Sequence, residues 1–422
     1  MGAATGAIDT GDTAWVLAAA ALVMFMTPGL ALFYGGMVRA KNVLGMLMQN
    51  FFSLGIVGVL WAVVMYSLAF SGTNRWIGNL DLAGLHHAAT TVPSGFTGAY
   101  AIHIPPLVFL SYQMMFAVIT PALITGAIAD RMRFSAWVVF LALWAVLVYA
   151  PVAHWVFSPE GWLFRRGALD FAGGTVVHVN AGVAALAVVL VLGKRRGWPR
   201  HAMPPHSLPL TLIGTGVLWF GWFGFNAGSA LGANGLAAQA FLNTTLAASA
   251  AMLGWLLAER IKGGHATTLG AASGAVAGLV AITPCAGFVG GMAPIYIGFA
   301  AGVVCFLAVS IKFRFGYDDS LDVIGVHLVG GMLGSLLLGL FADKAVNANG
   351  ADGLFSGGGL ELLGEQALAV GATLVFSFVL TYGICLVLKA VLPGGLRLSD
   401  EDEETGLDLS QHSEVAYAPD RV

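Results

Sequence analysis

The sequence predicts an all-α polytopic membrane protein. It is read as eleven transmembrane helices, with spans 1–5 and 6–10 forming an inverted repeat and an eleventh helix standing outside it. Three observations carry this reading. Of 422 residues, 58% are hydrophobic and only 10% charged, with a mean hydropathy of +0.83. A soluble domain of this length cannot cover its surface with so little charge. The Lys and Arg residues cluster between apolar stretches long enough to cross a bilayer. Finally, two D-x7-H strings recur about 150 residues apart, Asp170 to His178 in DFAGGTVVH and Asp319 to His327 in DSLDVIGVH. Each carries its histidine into an apolar, glycine-rich run.

Taken in order, the apolar stretches fall at roughly 14–38, 43–70, 104–128, 135–156, 173–193, 207–231, 236–258, 267–284, 290–311, 321–341 and 366–391. Two charge-free stretches hold two spans each, separated by GANG (232–235) in one and by TPCAGFVGG (283–291) in the other. With the N-terminus outside, 15 of the 19 Lys and Arg fall on the cytoplasmic side, Arg421 among them. Only Arg75, Arg165, Arg166 and Lys344 remain outside. The positive-inside rule therefore predicts N-out and C-in. Spans one to five and six to ten then have opposite orientations, and His178 and His327 take equivalent places in spans five and ten. The expected organisation is a membrane domain over 1–396, with halves at about 12–193 and 207–341 and a last helix at 366–391. A polar cytosolic tail follows over 397–422. No cationic segment precedes the first apolar run, so no cleavable signal is expected.

Histidines inside membrane segments suggest function. A neutral imidazole donates from one nitrogen and accepts at the other, so two can line a narrow path without fixed charge. The plain alternative is a helix–helix hydrogen bond. A metal site assembled from His103, His154, His178 and His327 is disfavoured, because no zinc-ligand spacing is present. Cys285, Cys305 and Cys385 read as packing residues. Asp170 and Asp319 each precede a span, where a carboxylate caps orphan N–H groups; near an outer vestibule it also attracts a cation. Tyr112 and Phe116 in YQMMF share a helix face. Trp222, Phe223 and Phe225 gather with Asn226 and Ser229 in GWFGFNAGS, a composition suited to a cation vestibule.

These strings resemble the ammonium transporters of the Amt/Mep/Rh superfamily, bacterial Amt branch, from about residue 12 to 418. The likeness rests on PGLALFYGGMVRAKNVL (28–44), YQMMFAVITPALITGAIADR (112–131), GALDFAGGTVVHVNAG (167–182), GWFGFNAGSALGAN (221–234), ITPCAGFV (282–289), DVIGVHLVGG (322–331) and the tail string GLDLSQHSEVAY (406–417). The resemblance implies cation recruitment at Ser229, Phe116 and Phe157 with Asp170 nearby. It implies a gate of Phe116, Phe225 and Tyr112, and a pore lined by His178 and His327. Tyr34, Asn226 and Thr283 match accessory positions. It also implies ammonium or ammonia as substrate, with methylammonium as a relative, and a homotrimer in a bacterial inner membrane. A PII-type signal protein at the cytoplasmic face completes the set; no cofactor, metal or nucleic acid is implied.

Two positions depart from the family pattern. Phe157 stands in AHWVF where the family carries Trp, so recruitment is expected to weaken unless Trp155 or Trp162 compensates. Tyr112 stands where Phe is common. Competing readings are an ammonium sensor with little flux and a passive channel for a small neutral molecule. An enzyme is disfavoured because no nucleophile–base pair is apparent. The tail is expected to pack against the cytoplasmic loops.

Overall fold

The computed structural model describes residues 7–417, so Arg421 lies outside the described residues. Within them the chain is helical, with no strand and one isolated bridge between Met132 and Arg397. Eleven rods carry the membrane domain: α1 (Thr10–Met37), α2 (Ala40–Phe70), α3 (Pro106–Ile128), α4 (Phe134–Arg166), α5 (Gly174–Leu192), α6 (Leu208–Ala230), α7 (Gly235–Gly263), α8 (Thr268–Ile282), α9 (Ala293–Phe315), α10 (Ile324–Phe341) and α11 (Glu361–Val391). Two short helices follow, α12 (Asp400–Thr405) and α13 (Leu407–His412).

Ten of the rods are long and apolar enough to cross a membrane. The other, α8, has 15 residues, about 22 Å at 1.5 Å per residue, against a hydrocarbon core of about 30 Å. The string TPCAGFVGG continues it in turns rather than helix, so the sequence-based limit of 267–284 overstates its helical part. The helix starts are set by side-chain caps: Asp9 accepts from Asp12 N–H, Ser207 from Leu210, Asn234 from Ala237 and Thr267 from Gly270. Each satisfies one of the donors that a helix leaves unpaired at its first turn.

The two D-x7-H segments fold alike. Both α5 and α10 begin with a π-wound turn, Gly174–Val179 and Ile324–Leu328, before continuing as α-helix. Each histidine sits in its π turn, a widening often found at functional sites. Four residues beyond each histidine stands a glycine. A Cβ at Gly182 would collide with the Leu328 backbone, and one at Gly331 would come within 3.0 Å of Gly174 O and His178 Cβ. These two glycines let the two turns meet at the centre of the bundle.

At the Lys/Arg-rich end, a buried ionic belt ties the two halves together. Arg195 grips Asp318 with its Nε and Nη2 (3.0 and 2.9 Å) and lies 3.6 Å from Asp130. Asp130 also pairs with Arg39 at 3.0 Å and accepts from Asn42. Arg131, fully buried, donates to Gly193 O, Ser320 Oγ and Asp318 O. Burial pulls its guanidinium down to about 10 despite the neighbouring Asp318. Burial pushes the Asp318 carboxyl up, but the Arg195 hydrogen bond and the charges of Arg131 and Arg195 outweigh it and hold the group below its usual range.

The tail docks on this belt, as expected from its sequence. Glu403 accepts from Arg397 Nη2 (2.6 Å) and Arg196 N–H (2.6 Å), Asp408 accepts from Gly45 N–H (2.9 Å), and Leu407 N–H donates to Asn42 (2.8 Å).

Candidate functional site

A vestibule of about 510 Å³ opens at the end of the bundle opposite the ionic belt. Asp170, Phe116, Phe157, Ser229, Gln113 and His103 are among its lining residues, and no Lys or Arg is. Arg165 and Arg166 at this end pair with Glu160 and Glu365 respectively. A cation entering the vestibule therefore meets aromatic faces, hydroxyl and amide oxygens and the carboxylates of Asp12 and Asp170, with no Lys or Arg in the lining.

Asp170 is held tightly. Its Oδ1 accepts from Gly173 and Gly174 N–H (both 2.7 Å), and its Oδ2 from Thr175 (2.8 Å) and Val176 (3.2 Å). Burial raises its carboxyl pKa, and the four backbone donors oppose that rise without cancelling it. The capping reading is thus seen directly, and the same residue lines the vestibule. Ser229 stands where α6 runs out. Its Oγ donates to Phe225 O (2.8 Å) and lies 3.1 Å from Tyr112 Oη. The final carbonyls of a helix carry its negative dipole end, which favours a cation there.

Phe116 and Phe225 close the vestibule floor, with ring centroids 4.3 Å apart and planes tilted by 31°. Phe157 meets Phe116 edge-on at 6.3 Å. Tyr112 meets Phe116 edge-on at 5.0 Å but lines neither the vestibule nor the cavity below it; it is fully buried behind Ser229.

Below the pair lies a cavity of about 10 Å³, room for one water. It is walled by His178, His327, Trp222, Phe225 and aliphatic side chains. The Nδ1 atoms of His178 and His327 lie 3.2 Å apart, so one donates and the other accepts. His178 Nε2 has no partner. Trp222 stacks on the His178 ring at 5.6 Å and donates its Nε1–H to Thr283 Oγ1 (2.9 Å), whose own proton goes to Leu279 O (2.7 Å). Thr283 thus fixes Trp222, and Trp222 fixes the ring plane of His178. Asn226 donates to Thr244 Oγ1 (2.9 Å) and leaves Oδ1 unpaired. A second cavity of about 10 Å³, lined by Tyr34, His327, Ser273 and Asp322, continues toward the basic end. There Tyr34 donates to Leu123 O at 3.2 Å.

Some aromatic expectations are corrected. Trp222 belongs to the lumen rather than the vestibule, and Phe223 stacks on Phe241 at 3.9 Å away from both. Trp155 and Trp162 do not line the vestibule beside Phe157. They line an apolar groove against α11, with Trp155 packed on Phe376 at 4.5 Å and bonded to Trp76 O. Among the described residues no three His, Cys, Asp or Glu side chains are grouped to hold a metal. His154 is spent on Ala69 O and Asn74 O. Gln113 and His103 line the vestibule without having been singled out as recruitment residues. Their place on the open side of YQMMF and of the loop before α3 is a matter of tertiary packing, with no signature in the sequence.

A wide cation-attracting vestibule above a narrow, neutral pore through a multi-pass bundle is the plan of a membrane transporter for a small solute. The sequence matches the Ammonium Transporter Family over residues 14–417, and the chain belongs to that family. It is 52% identical over 437 residues to an ammonium transporter of Mycobacterium tuberculosis (strain ATCC 25618 / H37Rv), covering 98% of this chain and 91% of that one. It is 51% identical over 412 residues to an ammonium transporter of Bacillus subtilis (strain 168), covering 97% and 99%. The crystal structure of Saccharomyces cerevisiae Mep2 superposes with a TM-score of 0.88 at 36% identity, covering 98% of this chain and 93% of that one.

Proposed function

We propose that this protein carries ammonium across the membrane by capture, deprotonation and passage of neutral ammonia. The single observation that carries the mechanism is the dry lumen. Between the Phe116–Phe225 pair and the paired histidines there is room for about one water and no charged group. An isolated ion in such a medium costs tens of kcal/mol. Removing a proton from an ion whose pKa is about 2–3 units above neutrality costs roughly 3–4 kcal/mol. The cheaper route loses the proton at the floor of the vestibule. Ammonium is recruited by Ser229, Phe116 and Phe157, with Asp170 stabilising the charge. Phe116 and Phe225 form the gate, with Tyr112 packed behind it, and ammonia passes His178 and His327. Tyr34, Asn226 and Thr283 act as accessory groups that shape this path. Potassium has no proton to lose and is rejected.

The vestibule faces outside, with the N-terminus out and the C-terminus in, and α8 completes an eleven-span bundle; the asymmetry of Lys and Arg supports both. The family pattern supports a homotrimer with one pore per subunit. The docked tail supports regulation at the cytoplasmic face by a PII-type protein. The proton takes a separate polar path, giving net charge movement. Purified protein in liposomes tests this reading. An ammonium pulse is expected to produce a current together with a change of internal pH. A pH change without current means a passive gas channel, and silence in both favours a sensor.

A further inference from the structure

We infer that Tyr112 is a positioning residue for substrate recruitment. Its hydroxyl fixes the Ser229 hydroxyl as a hydrogen-bond acceptor aimed into the vestibule. The inference rests on the reading of Ser229 as a recruitment residue.

The geometry leaves little freedom. Tyr112 Oη lies 2.9 Å from Gly224 O, 2.9 Å from Phe225 O and 3.1 Å from Ser229 Oγ. The phenol owns one proton and the two carbonyls own none. Were that proton given to Ser229, both carbonyls would face a bare phenol oxygen at hydrogen-bond distance. Tyr112 therefore donates to the carbonyls. They sit near the end of α6, where Gly224 O also accepts the Gly228 N–H and keeps a second lone pair for the phenol. The Ser229 proton is then constrained in turn. Turned toward the vestibule, it would leave Ser229 Oγ facing Phe225 O at 2.8 Å and Tyr112 Oη at 3.1 Å with no proton between them. Pointed inward, it satisfies either oxygen. The lone pairs of Ser229 are thereby presented to the vestibule, where they suit a ligand rich in N–H donors.

The pocket for the phenol is built in. A Cβ on Gly228 would come within 2.7 Å of Tyr112 Oη. Tyr112 is fully buried, so its hydroxyl has no solvent alternative. A Phe at this position would fill the same ring volume and leave Gly224 O, Phe225 O and Ser229 Oγ each one neighbour short.

The experiment measures ammonium-dependent flux against concentration in proteoliposomes for Tyr112→Phe, Ser229→Ala and the double variant. Tyr112→Phe is expected to raise KM about three- to tenfold, the loss of one modest hydrogen bond, with the maximal rate within about twofold. Ser229→Ala is expected to raise KM at least as much, and the double variant to match Ser229→Ala alone, because Tyr112 acts through Ser229. An unchanged KM in Tyr112→Phe, or a double variant whose losses multiply, overturns the inference while leaving Ser229 recruitment standing. An unchanged KM in Ser229→Ala overturns the recruitment reading and the inference with it. A fall in maximal rate alone in Tyr112→Phe assigns the residue to the gate and also overturns the inference.

Discussion

Asp170 and Asp319 occupy the same place in two copies of one motif, yet their surroundings differ. Asp170 accepts four backbone N–H bonds, faces the vestibule and has no cation among its partners. Asp319 accepts two, from Val323 (3.1 Å) and Ile324 (2.7 Å). It lies beside Lys312, which bonds its carbonyl at 2.9 Å and pairs with Asp322 at 2.6 Å. Burial raises the Asp319 carboxyl pKa, Lys312 pulls it back, and Asp322 adds to the rise. The motif itself therefore caps a π-wound turn and sets a histidine at the centre. Polarity is added by what surrounds it. One end is left negative and open to cations, and the other is compensated by Lys and Arg.

Neutralising each carboxylate in turn separates the roles of the two aspartates. Asp170→Ala removes an acceptor from four N–H groups and is expected to abolish transport and to destabilise the fold by several kcal/mol, since a hydrogen bond to a charged group contributes about 1.5–3 kcal/mol. Asp170→Asn keeps part of the cap and is expected to lower kcat/KM by at least about tenfold, one unit charge near the captured cation. Asp319→Asn is expected to change KM less than about threefold, because it lies away from the vestibule, beside Lys312. Flux curves for the three variants check this, and equal KM losses in the two Asn variants would remove the asymmetry.

Next in size is the ionic belt. Asp318→Asn leaves Arg195 buried with half its partnership and is expected to cost about 3–5 kcal/mol in thermal stability. The pH dependence has a definite sign. Asp318 has a lowered folded pKa, so its stabilising contribution is complete above the unfolded value near about 4 and disappears as pH falls through the lower folded value. Melting followed from pH 7 downward is expected to show that acid loss in the parent and a smaller one in Asp318→Asn. The smallest effect concerns Phe157. Phe157→Trp offers a better cation–π face, worth about 0.5–1 kcal/mol, and is expected to lower KM about two- to fivefold.

Much of this was legible in the residues. Apolar length gave the rods, and the spacing of Asp170 to His178 and Asp319 to His327 announced two matched turns. The string GLDLSQHSEVAY marked a tail that docks. Side-chain direction was not legible. In a membrane both the lipid-facing and the core-facing sides of a helix are apolar, so no stripe distinguishes them. That is why Trp155 and Trp162 looked available to the vestibule when they face α11, and why Phe223 was grouped with Trp222. The phenol of Tyr112 reads in sequence as a polar variant of Phe, and only the carbonyls at the end of α6 explain it. The shortness of α8 was hidden because TPCAGFVGG is as apolar as a helix.

Passage of neutral ammonia past His178 is tested by the selectivity of the lumen. Current and internal pH would be recorded on proteoliposomes after pulses of ammonium and of potassium, with His178→Ala beside the parent. The parent is expected to show an ammonium response and no potassium current, and His178→Ala a lost ammonium response or a new potassium current. His178→Ala with normal ammonium transport and undiminished rejection of potassium would contradict that expectation.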